Sequence, residues 1–266
     1  MLKRAAFPTA LIATLILTAC GGNGPAIPQP ASTSPAAPAQ APVAAAEEPA
    51  PAEEPAADPV VDAAAVAHLY VATNGSDSNP GTKASPFKTI VKASQVAQPG
   101  TVVHVAPGNY AGGFTTSRSG TSAARVRFVS DTKWGAKIVP SSATAQTAWL
   151  LTGSYVDVVG FHIDGNGGTR WLNGLVSQGS YNKIEGLHVH HIAMRTADCG
   201  LNGGSGINAA AHTGGKEVSI NGNVVHHIGI AGCHGIHGIY HSSTGEIKNN
   251  LIHNIGYGGI HLWHDA

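Results

Sequence analysis

Aromatic residues are scarce in this chain of 266 residues, at 6%, whereas glycine occurs 34 times. That balance disfavours a helical bundle and favours a fold with many tight turns. Charge of either sign is also in short supply: 15 Lys and Arg offset 15 Asp and Glu, so the formal net charge is zero. A strongly electrostatic partner such as nucleic acid is therefore not expected, although a neutral chain can still hold a polyanion at a local site. No HExxH run and no short Cys/His metal spacing occurs. The acids of the second half are scattered, at Asp157, Asp164, Glu185, Asp198, Glu217, Glu246 and Asp265. Calcium needs several clustered oxygen ligands, so the residues by themselves assign no metal.

The chain opens with an export signal over residues 1–20. Lys3 and Arg4 form its charged start, residues 10–17 an apolar run, and Leu17-Thr18-Ala19-Cys20 a small-residue cleavage site. This stretch is too short to span a bilayer. Those four residues resemble the lipobox of bacterial lipoproteins, which implies lipidation of Cys20 and, with Gly21 next, release to the outer membrane. An ordinary cleaved signal with an incidental cysteine is the alternative. Residues 21–65 are nearly all Ala, Pro, Glu, Gly, Ser and Gln, cannot bury a core, and read as a disordered, semi-rigid tether. Membrane contact would then run through the lipid alone, with the protein at the outer membrane or outside the cell. Residues 66–266 remain, enough for one sizeable core, and a monomer is expected.

Repeats are the main structural signal. Four segments align without gaps, beginning at Val158, Ile184, Ile220 and Ile247, each with Gly or Asn two residues later and a β-branched residue at the sixth place. The last three continue as His-His-Ile, His-His-Ile and His-Asn-Ile, ending at Ile192, Ile228 and Ile255. The spacings are 26, 36 and 27 residues, from Ile163 to Val189 to Val225 to Ile252. Two match one coil of a wide solenoid, and an insertion over residues 195–204 is expected to account for the longer one. A second family of strands follows: Gly174-Leu175-Val176-Ser177, Gly206-Ile207-Asn208-Ala209, Gly238-Ile239-Tyr240-His241 and Gly259-Ile260-His261-Leu262. Short β-branched runs separated by Gly and Asn, with no helical period between, predict strands that stack in parallel and bury one apolar row. Asn at equivalent bends can ladder its amides between coils and tolerates left-handed backbone.

Residues 69–77, with Leu69-Tyr70-Val71-Ala72-Thr73-Asn74-Gly75-Ser76-Asp77, are followed by Gly81-Thr82, Ser85-Pro86-Phe87-Lys88-Thr89-Ile90 and Val103-His104-Val105-Ala106-Pro107-Gly108-Asn109-Tyr110. This opening resembles that of the right-handed parallel β-helix proteins related to pectate lyases. The resemblance implies an all-β solenoid over residues 66–266, and it allows a Ca²⁺ cofactor. The clustered aspartates and catalytic lysine of the calcium-dependent members match no segment here, so no catalytic residue is carried over. Physically the opening reads as a cap: Thr89 N-caps a short helix, Ile90, Ala93 and Val96 face the first coil, and Pro99-Gly100 stop it.

Thirteen of the fifteen histidines fall at or after His162. The pairs His190-His191 and His226-His227 recur where strands would bend, which reads first as a polar ladder and second as a metal site. If Leu175, Ile207, Ile239 and Ile260 point inward, alternation puts Val176, Asn208, Tyr240 and His261 outward in one column, with successive coils about 4.8 Å apart. Such a column can hold sugar rings and move protons, or it can be an ordinary exposed sheet face. Gly235-Ile236-His237 competes with Gly238-Ile239-Tyr240 for the same register. Tyr240, His241, His261 and His264 are the expected catalytic residues, and Asn208 and His237 the expected substrate contacts.

Cys199 and Cys233 fall in corresponding loops of consecutive coils, and outside the cytoplasm they would pair. No motif places an activating base beside either as a thiol nucleophile. The chain ends within a coil, so the C-terminal end of the stack is expected to be incomplete. The function expected is a polysaccharide lyase on acidic sugar polymers, working by β-elimination. The alternatives are a non-catalytic carbohydrate-binding or adhesion β-helix and, third, a structural envelope lipoprotein.

Overall fold

The structure, a computed structural model, describes residues 66–141, 144–166, 171–199, 203–209 and 213–263. The expected signal segment, the tether, Cys20 and His264 lie outside the described residues. Within them the chain winds as a right-handed parallel β-helix of three sheets with seven, six and six strands. Sheet one takes His68–Val71, Val102–Val105, Val126–Ser130, Val156–Val159, Lys183–Glu185, Ser219–Asn221 and Ile247–Lys248. Sheet two takes Gly108–Ala111, Ala136–Val139, His162–Asp164, His188–Ile192, Val224–Ile228 and Leu251–Ile255. Sheet three takes Phe114–Thr116, Thr147–Leu151, Asn173–Ser177, Gly204–Ala209, Ile236–His241 and Gly258–Leu262.

The aligned repeats stack in register. Val158 pairs with Ile184, Ile184 with Ile220 and Ile220 with Ile247 in sheet one. Ile163, Val189, Val225 and Ile252 follow in sheet two. The corner between those sheets turns in two residues. Its first residue has left-handed backbone, with φ of +72° at Gly160, +64° at Gly186, +66° at Gly222 and +56° at Asn249. Glycine and asparagine tolerate that region best, which is why one or the other recurs there.

The second corner residue turns inside. Phe161, Leu187 and Asn223 are all fully buried. Asn223 is accepted there because its amide is satisfied: Leu187 N–H donates to its Oδ1 at 2.8 Å, and its Nδ2 donates to Ile184 O at 3.1 Å and to Asn250 Oδ1 at 2.9 Å. Asn250 repeats the pattern one coil on, with Nδ2 donating to Ile220 O at 2.9 Å. Asn182 is buried and satisfied likewise, accepting from Val156 N and donating to Gly153 O and Ser177 Oγ. The remaining interior is mostly apolar, and each large apolar side chain fully buried there contributes about 1.5–3 kcal/mol. Trp149 anchors it, edge-on to Phe161 and Phe128 at centroid distances of 5.1 and 5.5 Å, with its Nε1 donating to Thr116 Oγ1.

At the opening, Thr89 caps the helix Ile90–Val96 by accepting from Lys92 N. Asp77 pins this cap, accepting from Lys88 N at 3.0 Å, Thr89 N at 2.9 Å and Thr89 Oγ1 at 2.8 Å. Two expectations are corrected. Val96 does not face the first coil: it is 39% exposed, while Ile90, Ala93 and Ala97 are buried. A period of 3.6 brings the seventh residue after Ile90, not the sixth, back to the same face. Nor does one insertion explain the long coil. Residues 193–203 and 210–218 connect its strands, against 229–235 and 242–246 in the next coil, so the extra length is split between two connections. Gly204, assigned to the insertion, begins a strand that pairs with Ile236.

Cys199 is bonded to Cys233, closing a span of 34 residues with Cα atoms 5.0 Å apart. Removing the Asn223 amide takes the acceptor from the buried Leu187 N–H and a donor from Ile184 O. The variant Asn223→Ala is expected to lose about 2–4 kcal/mol of stability, read as a lower urea midpoint at unchanged slope.

Candidate functional site

The outer face of sheet three carries two columns of side chains. One follows the register Leu150, Val176, Asn208, Tyr240 and His261. The other follows Thr147, Asn173, Ser205 and His237. By strict alternation His237 and Tyr240, three residues apart, would face opposite ways. They share a face because pairing is interrupted at Gly238, where a Cβ would lie 2.6 Å from Gly259 O and 2.7 Å from the Ile252 side chain. Only glycine lets the chain bend there. The competition between the two Gly-Ile registers is thereby resolved: both lie in one strand, and Ile239 pairs with Ile207.

These columns floor a cavity of about 420 Å³ lined by Asn173, Gln178, Asn208 and Tyr240 among others, with Gly203, Gly204 and Gly235 at its edge. Among the described residues, no Lys, Arg, Asp or Glu lines it. At its C-terminal end the cavity meets a group of rings. Tyr240 and His261 stack at 5.1 Å and 7°, and Trp263 continues the stack 5.8 Å from His261. His237 lies 4.5 Å from His261, with Tyr257 5.5 Å away on another side. Burial raises the Tyr240 pKa, so the phenol stays protonated at neutral pH. Burial, and then His261, lower the His237 pKa, so its imidazole stays neutral. A larger cavity of about 560 Å³, lined by Ile90, Tyr110 and Phe114 among others, lies under the cap away from these residues.

Of the residues expected here, Asn208, His237, Tyr240 and His261 come together. His241 does not. It is 2% exposed and its Nε2 lies 3.0 Å from Val218 O, because it is two residues from inward-facing Ile239 and shares that side. It is a buried structural histidine. Thr147, Asn173, Gln178, Tyr257 and Trp263 belong to the site without having been expected. Trp263 was within reach of the same alternation rule, two residues after His261; the others depend on which coils neighbour each other.

The calcium ion allowed by the family resemblance does not fit this cavity as the described residues line it, with amides and hydroxyls but no carboxylate. The outer face of sheet two is different. Its histidines form a continuous row: His162 stacks on His188 at 4.7 Å, His190 on His226 at 4.9 Å, and His226 on His253 at 4.9 Å. The chain bends at the second residue of each pair, with positive φ at His191 and His227, and at the matching Asn254. Burial first, then neighbouring imidazoles, push His162 and His226 down to about 4. Burial holds His190 lower still, at about 3, against the opposing pull of Asp164.

Three parallel sheets, two-residue corners with left-handed backbone and an inward asparagine ladder define a right-handed parallel β-helix protein. More narrowly, the chain belongs to the Pel9A-like right-handed β-helix family, whose pattern matches residues 69–253. It is 43% identical over 61 residues to a Bacillus subtilis (strain 168) protein, "Uncharacterized protein YwoF", covering 23% of this chain and 13% of that one. Among solved structures it is similar to pectate lyase Pel9A, at TM-score 0.49 and 20% identity over 69% of this chain and 45% of that one. It is similar also to a GH136 lacto-N-biosidase from Eubacterium ramulus, at TM-score 0.51 and 18% identity over 73% of this chain and 43% of that one. This chain therefore spans less than half the length of either structure. At such identities the likeness is one of fold.

Because folding holds the His237 pKa below 6.5, the stability tied to its neutral ring is complete above that pH and is lost as pH falls through the folded value. Thermal melts on the acid side of pH 6.5 are expected to fall more steeply for the native chain than for His237→Gln.

Proposed function

We propose that this protein is a polysaccharide lyase that holds an acidic sugar polymer across the outer face of sheet three. The observation that carries the reading is the polar, uncharged cavity that runs into the stacked Tyr240, His261 and Trp263 rings. Ring faces can pack against the apolar faces of sugars, and the amides of Asn173, Gln178 and Asn208 can hydrogen-bond hydroxyls or a uronate carboxylate. The family relationship supports the same substrate class.

In the reaction proposed, the His261 imidazole takes the proton from the carbon next to the uronate carboxylate. The freed electron pair forms the carbon–carbon double bond, the adjacent carbon–oxygen glycosidic bond breaks, and the Tyr240 phenol protonates the leaving oxygen. His237 and Asn208 position the polymer. A second reading, capture without turnover, is favoured by one observation: among the described residues the cavity lining provides no permanent cation to neutralise the carboxylate.

Ultraviolet absorbance of the unsaturated product separates the two, measured on pectate, alginate and glycosaminoglycans with Ca²⁺ and then with chelator. Product from one polymer supports the lyase; binding with silence on all supports capture. If it is a lyase, Tyr240→Phe and His261→Ala each lower turnover about 100-fold or more at unchanged circular dichroism; unchanged turnover in both would remove them from the mechanism.

For location, we propose an outer-membrane protein tethered by lipid on Cys20. Cys20→Ser is expected to abolish incorporation of labelled fatty acid and to move the protein from the membrane fraction to the soluble one.

A further inference from the structure

The row of imidazoles on sheet two has no part in the polysaccharide site, and its geometry is not that of a simple ladder. We propose that His162, His188 and His190 bind a divalent transition-metal ion of the zinc class on the outer face of sheet two. His162 and His188 are register partners on consecutive coils, and His190 stands two residues along the strand from His188, on the same face. One ligand nitrogen from each of the three lies within 4.8 Å of the other two. Tetrahedral zinc holds imidazole nitrogens roughly 3.3 Å apart, so small ring rotations close the set.

The nitrogen contacts point the same way. His162 Nε2 faces His190 Nε2 at 2.5 Å, and His188 Nε2 faces His226 Nε2 at 2.8 Å. An N–H between nitrogens ordinarily spans about 2.9 Å. The first contact brings two of the three ligand nitrogens together, and the His188 ring lies 4.7 Å from His162 and 4.6 Å from His190, within reach of the same ion.

Behind His190 stands a carboxylate: Asp164 Oδ1 lies 3.4 Å from His190 Nδ1, the side away from the other two ligands. The same Nδ1 meets His191 Nδ1 at 2.5 Å, and a carboxylate on that side of a metal-bound histidine strengthens it as a ligand. Asp164 also supplies negative charge beside Lys137, which pairs in register with His162 and would otherwise repel a cation. Trp134, 4.9 Å from the His188 ring, walls the N-terminal side, and His226 the C-terminal side. Three nitrogens leave one tetrahedral position open for water or a ligand. The donor set selects for zinc, copper or nickel and against calcium or magnesium, which take oxygen.

The test uses the full chain, purified without a polyhistidine tag and stripped with chelator. Calorimetric titration with Zn²⁺ alone is expected to show one saturable site, and Ca²⁺ none. Cobalt(II) is expected to give the intense visible bands of a tetrahedral nitrogen-bound ion. His162→Gln and His190→Gln should each weaken zinc binding more than tenfold, Asp164→Asn about 10–100-fold, and His253→Gln not at all. Absence of saturable zinc uptake by the native chain, or uptake unchanged in the His162→Gln, His190→Gln double variant, overturns the proposal. The cobalt spectrum of the native chain decides the matter should those variants fail to fold.

Discussion

Parallel hydrogen-bond ladders run the length of this molecule, and each coil is held chiefly by the coil before it and the coil after. Residues at equivalent places in successive coils are therefore stacked in columns at the strand spacing, about 4.8 Å. An inward column must be apolar or must satisfy its own polar groups, as Asn223 and Asn250 do by donating along the stack. An outward column may repeat a polar or aromatic side chain, because repetition then produces a row of rings. Tyr155 on Tyr181, at 4.7 Å and 10°, arises this way, as do the histidines of sheet two and the Tyr240–His261 pair.

The same constraint gives the two decorated faces opposite chemistry. Sheet two presents nitrogen lone pairs from rings that burial keeps neutral. Sheet three presents amides, hydroxyls and ring faces around a cavity that no charged side chain among the described residues lines. One is suited to a soft cation, the other to a sugar chain. They occupy separate sheets, so either can be disturbed with little effect on the other.

Strands of sheet three floor the cavity, and the connections close its edge. Gly203, Gly204 and Gly235 edge it, and the Cys199–Cys233 bond joins the two connections that lead to them. In the loop-entropy account a closed span of this length adds about 4 kcal/mol. Arg195 and Asp198, paired and with the carboxylate fully buried, brace the turn just before Cys199. The edge of the cavity is thus held by a covalent bond and an ion pair rather than left to the flexibility of a glycine-rich loop.

Much of this could be read in advance. Gly or Asn two residues after an apolar one marked the left-handed corner, Thr89 marked a helix start, and period-two alternation placed Asn208, Tyr240 and His261 in one column. These are local properties, determined by backbone sterics and side-chain parity within a few residues, and the sequence alone decides them. The placement of His237 beside Tyr240, the burial of His241, the division of the extra residues and the convergence of His162, His188 and His190 were decided only by tertiary structure. Each depends on a bend, a skipped pairing or the stacking of separate coils, and no short stretch of sequence contains the partner that sets the outcome.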